Sequence, residues 1–250
     1  MTDIPAEQTP EKALGRNSLL SPEDNRRMFN RIARWYDFMN SLLSLRQDVR
    51  WRRKAVAELD PVHGARYLDM GCGTGDMAIE IVRQCPRATV VGIDPAEEML
   101  SLARRKTRRA SLERALSFQV GDGMHIEFPN GSFAGAVCAF CIRNITDRLR
   151  AMAEMKRVLA RGSRLVVLEL TTPANPVLHF GHKVYSRCII PTAGRLIARS
   201  GQAYRYLVDS VETLPRVEKL AGMMTQAGFE DVRCVSLLGG SATVFVGQVR

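Results

Sequence analysis

The chain has 250 residues, 46% of them hydrophobic and 25% charged, a balance that suits one sizeable folded core and excludes an intrinsically disordered chain. Its formal charge of +10 fits a nucleic-acid partner, an anionic membrane surface or plain solubility. The longest uncharged run, FPNGSFAGAVCAFCI, is about 15 residues and broken by Pro and Gly, which excludes a bilayer-spanning helix of roughly 20 residues. No basic stretch followed by an apolar run opens the sequence, so a cytoplasmic chain without a leader is expected. The six cysteines are scattered, as free thiols in a reducing compartment are. Cys138 and Cys141 form a lone C-x-x-C, read as two small residues near a strand end, and His179 and His182 have no partner ligands in sequence. No metal site is expected.

In chain order, a polar lead over 1–20 reads as mobile. Ser21-Pro22-Glu23-Asp24 then signals a helix start, with a capping serine, proline at the first helical position and acids in the first turn. Helices are expected over 21–60. From 61 to 170 the pattern alternates: strand ARYLDM, helix DMAIEIVRQC, strand ATVVGIDP, helix AEEMLSLARRKTRR, strands LSFQVGDG and FAGAVCAF, helix DRLRAMAEMKRVLA, strand SRLVVLEL. Such alternation predicts βαβ units, a mostly parallel sheet and ligands at the carboxyl ends of its strands. A helical insertion with Phe180, Tyr185, Tyr204 and Tyr206 follows over 171–214. A helix ended at Gly228 and a hairpin about Gly239-Gly240 close the chain over 215–250, and 21–250 is read as one domain. Much of the charge lies in RWYDFMNSLLSLRQDVRWRRK and in ARRKTRRASLER, the latter read as a solvated helix face.

The turn in YLDMGCGTGD raises the question of the ligand. Gly71, Gly73 and Gly75 allow close backbone approach, yet a dinucleotide fingerprint would need glycine where Asp76 stands, and a phosphate loop would need a lysine. Asp69 and Asp76 would repel a pyrophosphate at the helix N-terminus. Asp94 ends the second strand, where a carboxylate accepts from ribose hydroxyls, which by itself also fits NAD. Asp122 ends the third strand and suits an adenine amino group. An adenosine without pyrophosphate, joined to a cationic group, is S-adenosyl-L-methionine.

Here the chain resembles the class I methyltransferases, whose first motif looks like (V/I/L/Y)LD-x-GCGTG. That resemblance implies an α/β, Rossmann-like class I methyltransferase fold: a mostly parallel seven-stranded sheet, a C-terminal antiparallel hairpin and an added helical substrate cap. It implies that Thr74, Gly123 and Ala139 join Asp69, Gly71, Gly73, Gly75, Asp94 and Asp122 around the cofactor. Longer blocks, YDFMNSLLSLRQDVRW and RVLARGSRLVVLELT, with FCIRNITD, AYRYLVDSVETLP and MMTQAGF, resemble the ubiquinone/menaquinone-biosynthesis C-methyltransferase family over nearly all of 28–249. A prenylated quinol substrate is therefore expected, demethylmenaquinol ahead of the methoxybenzoquinol of the ubiquinone route.

By the same resemblance, Tyr36, Asp37 and Asn40, with Arg143 and Asn144, are the candidates to hold the quinol oxygens. Arg143 also reads as a structural arginine, and Tyr36 as core. Leu42, Leu43 and Leu45 with Met39 read as helix core or as the mouth of a prenyl-tail tunnel. A lipid substrate gives the basic N-terminal region a use, transient contact with an anionic membrane surface at the inner face of the cell membrane. A homodimer stays open. The chain departs from the family pattern at Asp48, where a histidine is usual, at Cys141 and Ser163, where glycines are, and at SGQ before AYRYL, where an acid is. Alternative readings are a relative acting on a soluble aromatic molecule, a non-catalytic cofactor-binding protein, and a basic nucleic-acid-binding protein; with 6% aromatic residues and no RNA module, no nucleic-acid partner is expected.

Overall fold

The computed structural model describes residues 20–173, 175–176 and 201–250. Residues 1–19 of the polar lead, and Phe180, Tyr185, His179 and His182 of the insertion, lie outside the described residues. Helix α1 (Pro22–Leu43) begins as its sequence signals: the Ser21 hydroxyl accepts from the Asp24 amide and Pro22 stands in the first turn. A tight turn leads into α2 (Gln47–Leu59). Leu45 and Arg46 both take left-handed backbone there, with φ of 51° and 61°, at about 1–2 kcal/mol each for residues that carry a Cβ.

The alternating region forms β1 (Arg66–Met70), α3 (Asp76–Gln84), β2 (Thr89–Asp94), α4 (Glu97–Arg109), β3 (Leu116–Val120), β4 (Phe133–Ala139), α5 (Arg148–Val158) and β5 (Leu159–Leu170). The fifth strand starts earlier than its apolar run suggests, because Leu159 already pairs with Phe133 before a bulge shifts the register to Gly135–Arg164. Helix α6 (Gly201–Glu212) and α7 (Val217–Gln226) precede β6 (Glu230–Leu237) and β7 (Ala242–Gln248), an antiparallel pair joined through a short turn at Leu238–Gly240. Seven strands make one sheet in the order β3-β2-β1-β4-β5-β7-β6, parallel from β3 to β5.

Period-two alternation gives the sheet two packed faces. Tyr67, Val166, Leu168, Val244 and Val246 pack with α2 and α3 on one face, and Leu68, Met70, Val167 and Phe245 pack with α5 and α7 on the other. Burying each such side chain stabilises the fold by about 1.5–3 kcal/mol. Helix α1 lies outside this sandwich and rests on α4 through Ala33, Ala96 and Met99. Asn25 on α1 also donates to the Tyr206 hydroxyl on α6 at 3.0 Å.

The leucine cluster on α1 divides in a way the core reading does not anticipate. Met39 is fully buried and Leu43 packs near it, whereas Leu42 and Leu45 are exposed. Because β1 and β4 are neighbours while their following connections run opposite ways across the sheet, a crevice opens at their carboxyl ends. The glycine turn and the residues after β4 border it, and Tyr36 of α1 reaches over it.

Candidate active site

Between β1 and α3 the loop is pinned to β2, since the Gly71 and Cys72 amides both donate to the Ile93 carbonyl, at 2.8 and 3.0 Å. Gly71, Gly73 and Gly75 all have positive φ, but for different neighbours. A Cβ on Gly71 would overlap the Cys141 sulfur, and one on Gly75 would press on the Phe118 ring at 3.0 Å. Gly71 and Gly73 both line the crevice, but only at Gly73 would a Cβ find open space, its nearest neighbour being the edge of Tyr36 at 4.0 Å. Gly73 is thus the glycine with room toward a ligand, while side chains fill the space beside Gly71 and Gly75.

Two acids flank this loop. Asp69 shares the α3 side of β1 with Tyr67, is 1% exposed, and accepts from the Ala78 amide at 3.1 Å through one oxygen. Its other oxygen is buried without a partner. Burial pushes the Asp69 carboxyl up to about 7 against the pull of the Ala78 amide, and the charge of Asp94 adds to the rise. Asp94 accepts from the Gly73 and Ala96 amides, each at 2.9 Å, and burial pushes it up to about 6. A buried acid with an orphaned oxygen favours a cationic donor such as an ammonium and disfavours a pyrophosphate.

Of the remaining predicted cofactor residues, Thr74 and Ala139 line the same crevice, and Asp122 and Gly123 lie just past β3. Asp122 is exposed two residues past β3 and holds the Met124 amide at 2.8 Å. Gly123 lies so near the end of β1 that a Cβ would meet the Met70 sulfur at 2.7 Å. Ala139 ends β4 and lines the pocket with Tyr36, Asp69, Gly73 and Thr74. These residues suit S-adenosyl-L-methionine: the orphaned Asp69 oxygen has lone pairs to spare for an ammonium, and each Asp94 oxygen keeps one for a hydroxyl.

Asp37 behaves differently from its expected role. One of its oxygens accepts from the Thr74 hydroxyl at 2.5 Å, and the other pairs with Lys106 at 2.5 Å. Lys106 also reaches Asp76 at 2.5 Å and Thr74 at 2.9 Å, so a lysine on α4 ties α1 to the glycine loop. Asp37 is thereby tied to the glycine loop through both of its oxygens. Asp48, where the family pattern has a histidine, is likewise engaged: buried on α2, it accepts from Arg52 at 2.6 Å and from Ser44 at 2.8 Å.

After β4 the backbone strains. Phe140 has φ of 55°, and its carbonyl accepts from Arg143 at 2.6 Å. Arg143, 3% exposed, also pairs at 2.5 Å with Glu169, which is fully buried at the end of β5. Its Nε has no partner. Desolvation opposes the charge on Arg143, but Glu169 and Tyr36 hold its pKa above the ordinary arginine value. Tyr36 hydrogen-bonds Asn40; burial raises its phenol while Arg143 and Asn40 pull it down. Arg148 donates to the Ile142 and Arg143 carbonyls at 3.1 and 3.0 Å, fixing the short turn that presents Asn144.

Tyr36 thus interacts with both Asn40 and Arg143, Asn144 follows Arg143 in the short turn, and Asp37 is engaged by Thr74 and Lys106. Glu169, Lys106, Arg52 and Arg148 are the members that sequence reasoning missed. Glu169 had one visible signal, a single acid inside the apolar run LVVLEL. Among the described residues no group of His, Cys, Asp and Glu could hold a metal ion.

Comparison with known proteins agrees with this geometry. The ubiquinone/menaquinone biosynthesis C-methyltransferase UbiE of Citrifermentans bemidjiense is 44% identical over 223 residues, 89% of this chain and 94% of that protein. The demethylmenaquinone methyltransferase of Thermus thermophilus is 43% identical, over 88% of this chain and 99% of its own length. Among solved structures, a SAM-dependent methyltransferase from Aquifex aeolicus superposes with a TM-score of 0.59 at 17% identity, covering 80% of this chain and 89% of that one, a likeness of fold. Residues 20–249 match the family described as ubiE/COQ5 methyltransferase, and the chain belongs to that family.

Proposed function

We propose that this methyltransferase transfers a methyl group from S-adenosyl-L-methionine to a ring carbon of a prenylated quinol, demethylmenaquinol ahead of the methoxybenzoquinol of the ubiquinone route. The observation that carries the reading is the contrast after two neighbouring strands: an unmatched buried acid, Asp69, beside β4's buried arginine, Arg143. The names of the Citrifermentans and Thermus relatives support the substrate class.

The cofactor, when bound, supplies an electrophilic methyl group on a sulfonium. Asp69 and Asp94 would hold its ammonium and ribose, Asp122 with Gly123 beside it would meet the adenine, and Thr74 and Ala139 would line the crevice. Ring-carbon attack needs a quinol oxygen to lose its proton, which a water in the crevice takes up. Arg143 stays charged and stabilises that oxygen as an anion. A hydrogen bond from a charged group contributes about 1.5–3 kcal/mol, enough to lower a quinol pKa by about one to two units. Tyr36, its phenol held protonated, acts as a donor rather than a base, and Asn40 and Asn144 complete the wall. A prenylated substrate also brings the enzyme into transient contact with an anionic membrane surface.

The test is turnover of labelled S-adenosyl-L-methionine with reduced demethylmenaquinone and reduced demethylated benzoquinone side by side. Label in the naphthoquinol is the expected result. With cofactor bound and label in neither, the quinol reading falls and a soluble aromatic acceptor replaces it. Arg143→Ala should lower turnover with cofactor affinity largely kept; equal loss of both would make Arg143 a brace for Phe140 alone.

A further inference from the structure

We propose that the outward face of α1 and the turn after it form a docking ridge for a bilayer surface rich in anionic headgroups. The proposal deepens the quinol reading, on which its purpose rests, but its evidence is separate. Helix α1 carries two apolar stripes. Phe29, Ile32, Tyr36, Met39 and Leu43 recur at three and four residues and meet the body of the protein. Trp35, Phe38 and Leu42 recur the same way, more than a quarter turn round the helix, and share their face with Arg31 and Arg34.

Trp35 is half-buried against Ile32 and Met39, while Phe38 and Leu42 of this stripe, with Leu45 after it, are open to solvent. Phe38 is 54% exposed, Leu42 41% and Leu45 76%. The other exposed large hydrophobics among the described residues, Val62, Val120 and Leu238, stand singly on separate loops and strand ends, as scattered surface residues do. The left-handed backbone at Leu45 and Arg46 extends the ridge past the helix end with an exposed leucine beside an exposed arginine, a conformation neither residue favours by itself. The Trp35 ring meets Phe38 edge-on at 6.5 Å between centroids, and the Arg34 guanidinium lies 5.7 Å from the Trp35 ring.

Charge identifies the occupant. Between Asn25 and Arg46 the single acid is Asp37, which turns inward to Lys106 and Thr74, and Asp48 beyond it is buried on Arg52. Exposed Arg31, Arg34, Arg46 and Arg50 therefore border the apolar ridge with no acid interleaved. Trp, Phe and Leu flanked by arginine are the composition of a helix that lies in the headgroup region. No helix among the described residues is long and apolar enough to cross a membrane, so the contact is made from one side. The body-facing stripe of the same helix places Tyr36 beside Gly73. Docking would hold the crevice beside the lipid in which a prenylated quinol resides.

The experiment is cosedimentation of the full chain with vesicles of phosphatidylcholine alone and with phosphatidylglycerol added. Binding is expected only with the anionic lipid. F38S/L45S should weaken it about tenfold, and R31Q/R34Q should remove its dependence on phosphatidylglycerol, with melting temperature and cofactor affinity unchanged in both variants. Equal sedimentation of F38S/L45S and the parent, or no binding by the parent, would overturn the proposal. So would a dimer of the parent that F38S/L45S converts to monomer, which would assign the ridge to a second copy of the chain. Loss of vesicle binding in F38S/L45S without label in any quinol would leave the ridge standing and remove the substrate reading.

Discussion

At the carboxyl ends of β1 and β2 lie two buried acids, Asp69 and Asp94, with backbone amides for company and one oxygen left over. At the ends of β4 and β5 a buried arginine is answered by a buried glutamate, whose second oxygen takes the Arg143 amide at 3.3 Å. The two regions are built from the same material, a charged side chain at the end of a parallel strand, and reach opposite states. The first leaves a buried carboxylate oxygen without a partner and has no cation beside it. The second balances its charge within the chain, with only the Arg143 Nε left over. The first half is thus open to a cation, while the second holds its arginine in place by a partner of opposite charge.

Breaking the completed half should have the largest effect. Glu169→Ala leaves Arg143 buried and uncompensated, and should cost about 3–5 kcal/mol of stability in urea unfolding. Adding Arg143→Met to that variant should recover much of the loss, because the cost lies in the unpaired charge; no recovery would mean that packing, not charge, holds this corner. Next, Asp94→Ala removes the acceptor for the Gly73 and Ala96 amides as well as a ribose contact, and should weaken cofactor binding about tenfold to a hundredfold by calorimetry. Unchanged affinity would remove Asp94 from the cofactor site.

The smallest effect is in pH. Both acids of the incomplete half have raised pKa values, so the stability they contribute to the ligand-free protein is present below the ordinary aspartate range and is lost as pH rises through about 6 and about 7. A cationic ligand reverses the sign of that demand. Cofactor affinity should therefore rise about tenfold between pH about 6 and about 8, with proton release visible as a buffer-dependent binding enthalpy. A flat affinity over this range would mean that Asp69 does not meet the ammonium.

Much of the incomplete half was legible in sequence because it is local. Asp69 and the three glycines lie within seven residues, and Asp94 and Asp122 each follow a strand whose apolar pattern is plain. Ser21 and Pro22 announced α1 for the same reason. The completed half depends on distant pairing. Glu169 meets Arg143 across 26 positions, through the β4–β5 register, and nothing in LVVLEL specifies that partner. Lys106 reads as one of a run of solvated cations, but it lies beside the buried Ala103 and Thr107 on α4 and so turns toward Asp37 and Asp76. For Leu42 and Leu45, helical spacing fits two faces of α1, and only the packing of α1 on α4 decides which one is covered.

The contact between Gly71 and Cys141 has a consequence for reagents. The Cys141 sulfur fills the space that a Cβ on Gly71 would need, and it is half-buried, whereas Cys72, Cys85 and Cys138 are buried. An alkyl group added to that sulfur would sit beside the Gly71 backbone, two residues from Gly73. Cys234, exposed on β6, can take the same group far from the crevice. Alkylation at one thiol would thus silence the enzyme while the same modification at another passes unnoticed, a liability that a glycine at position 141 would not carry.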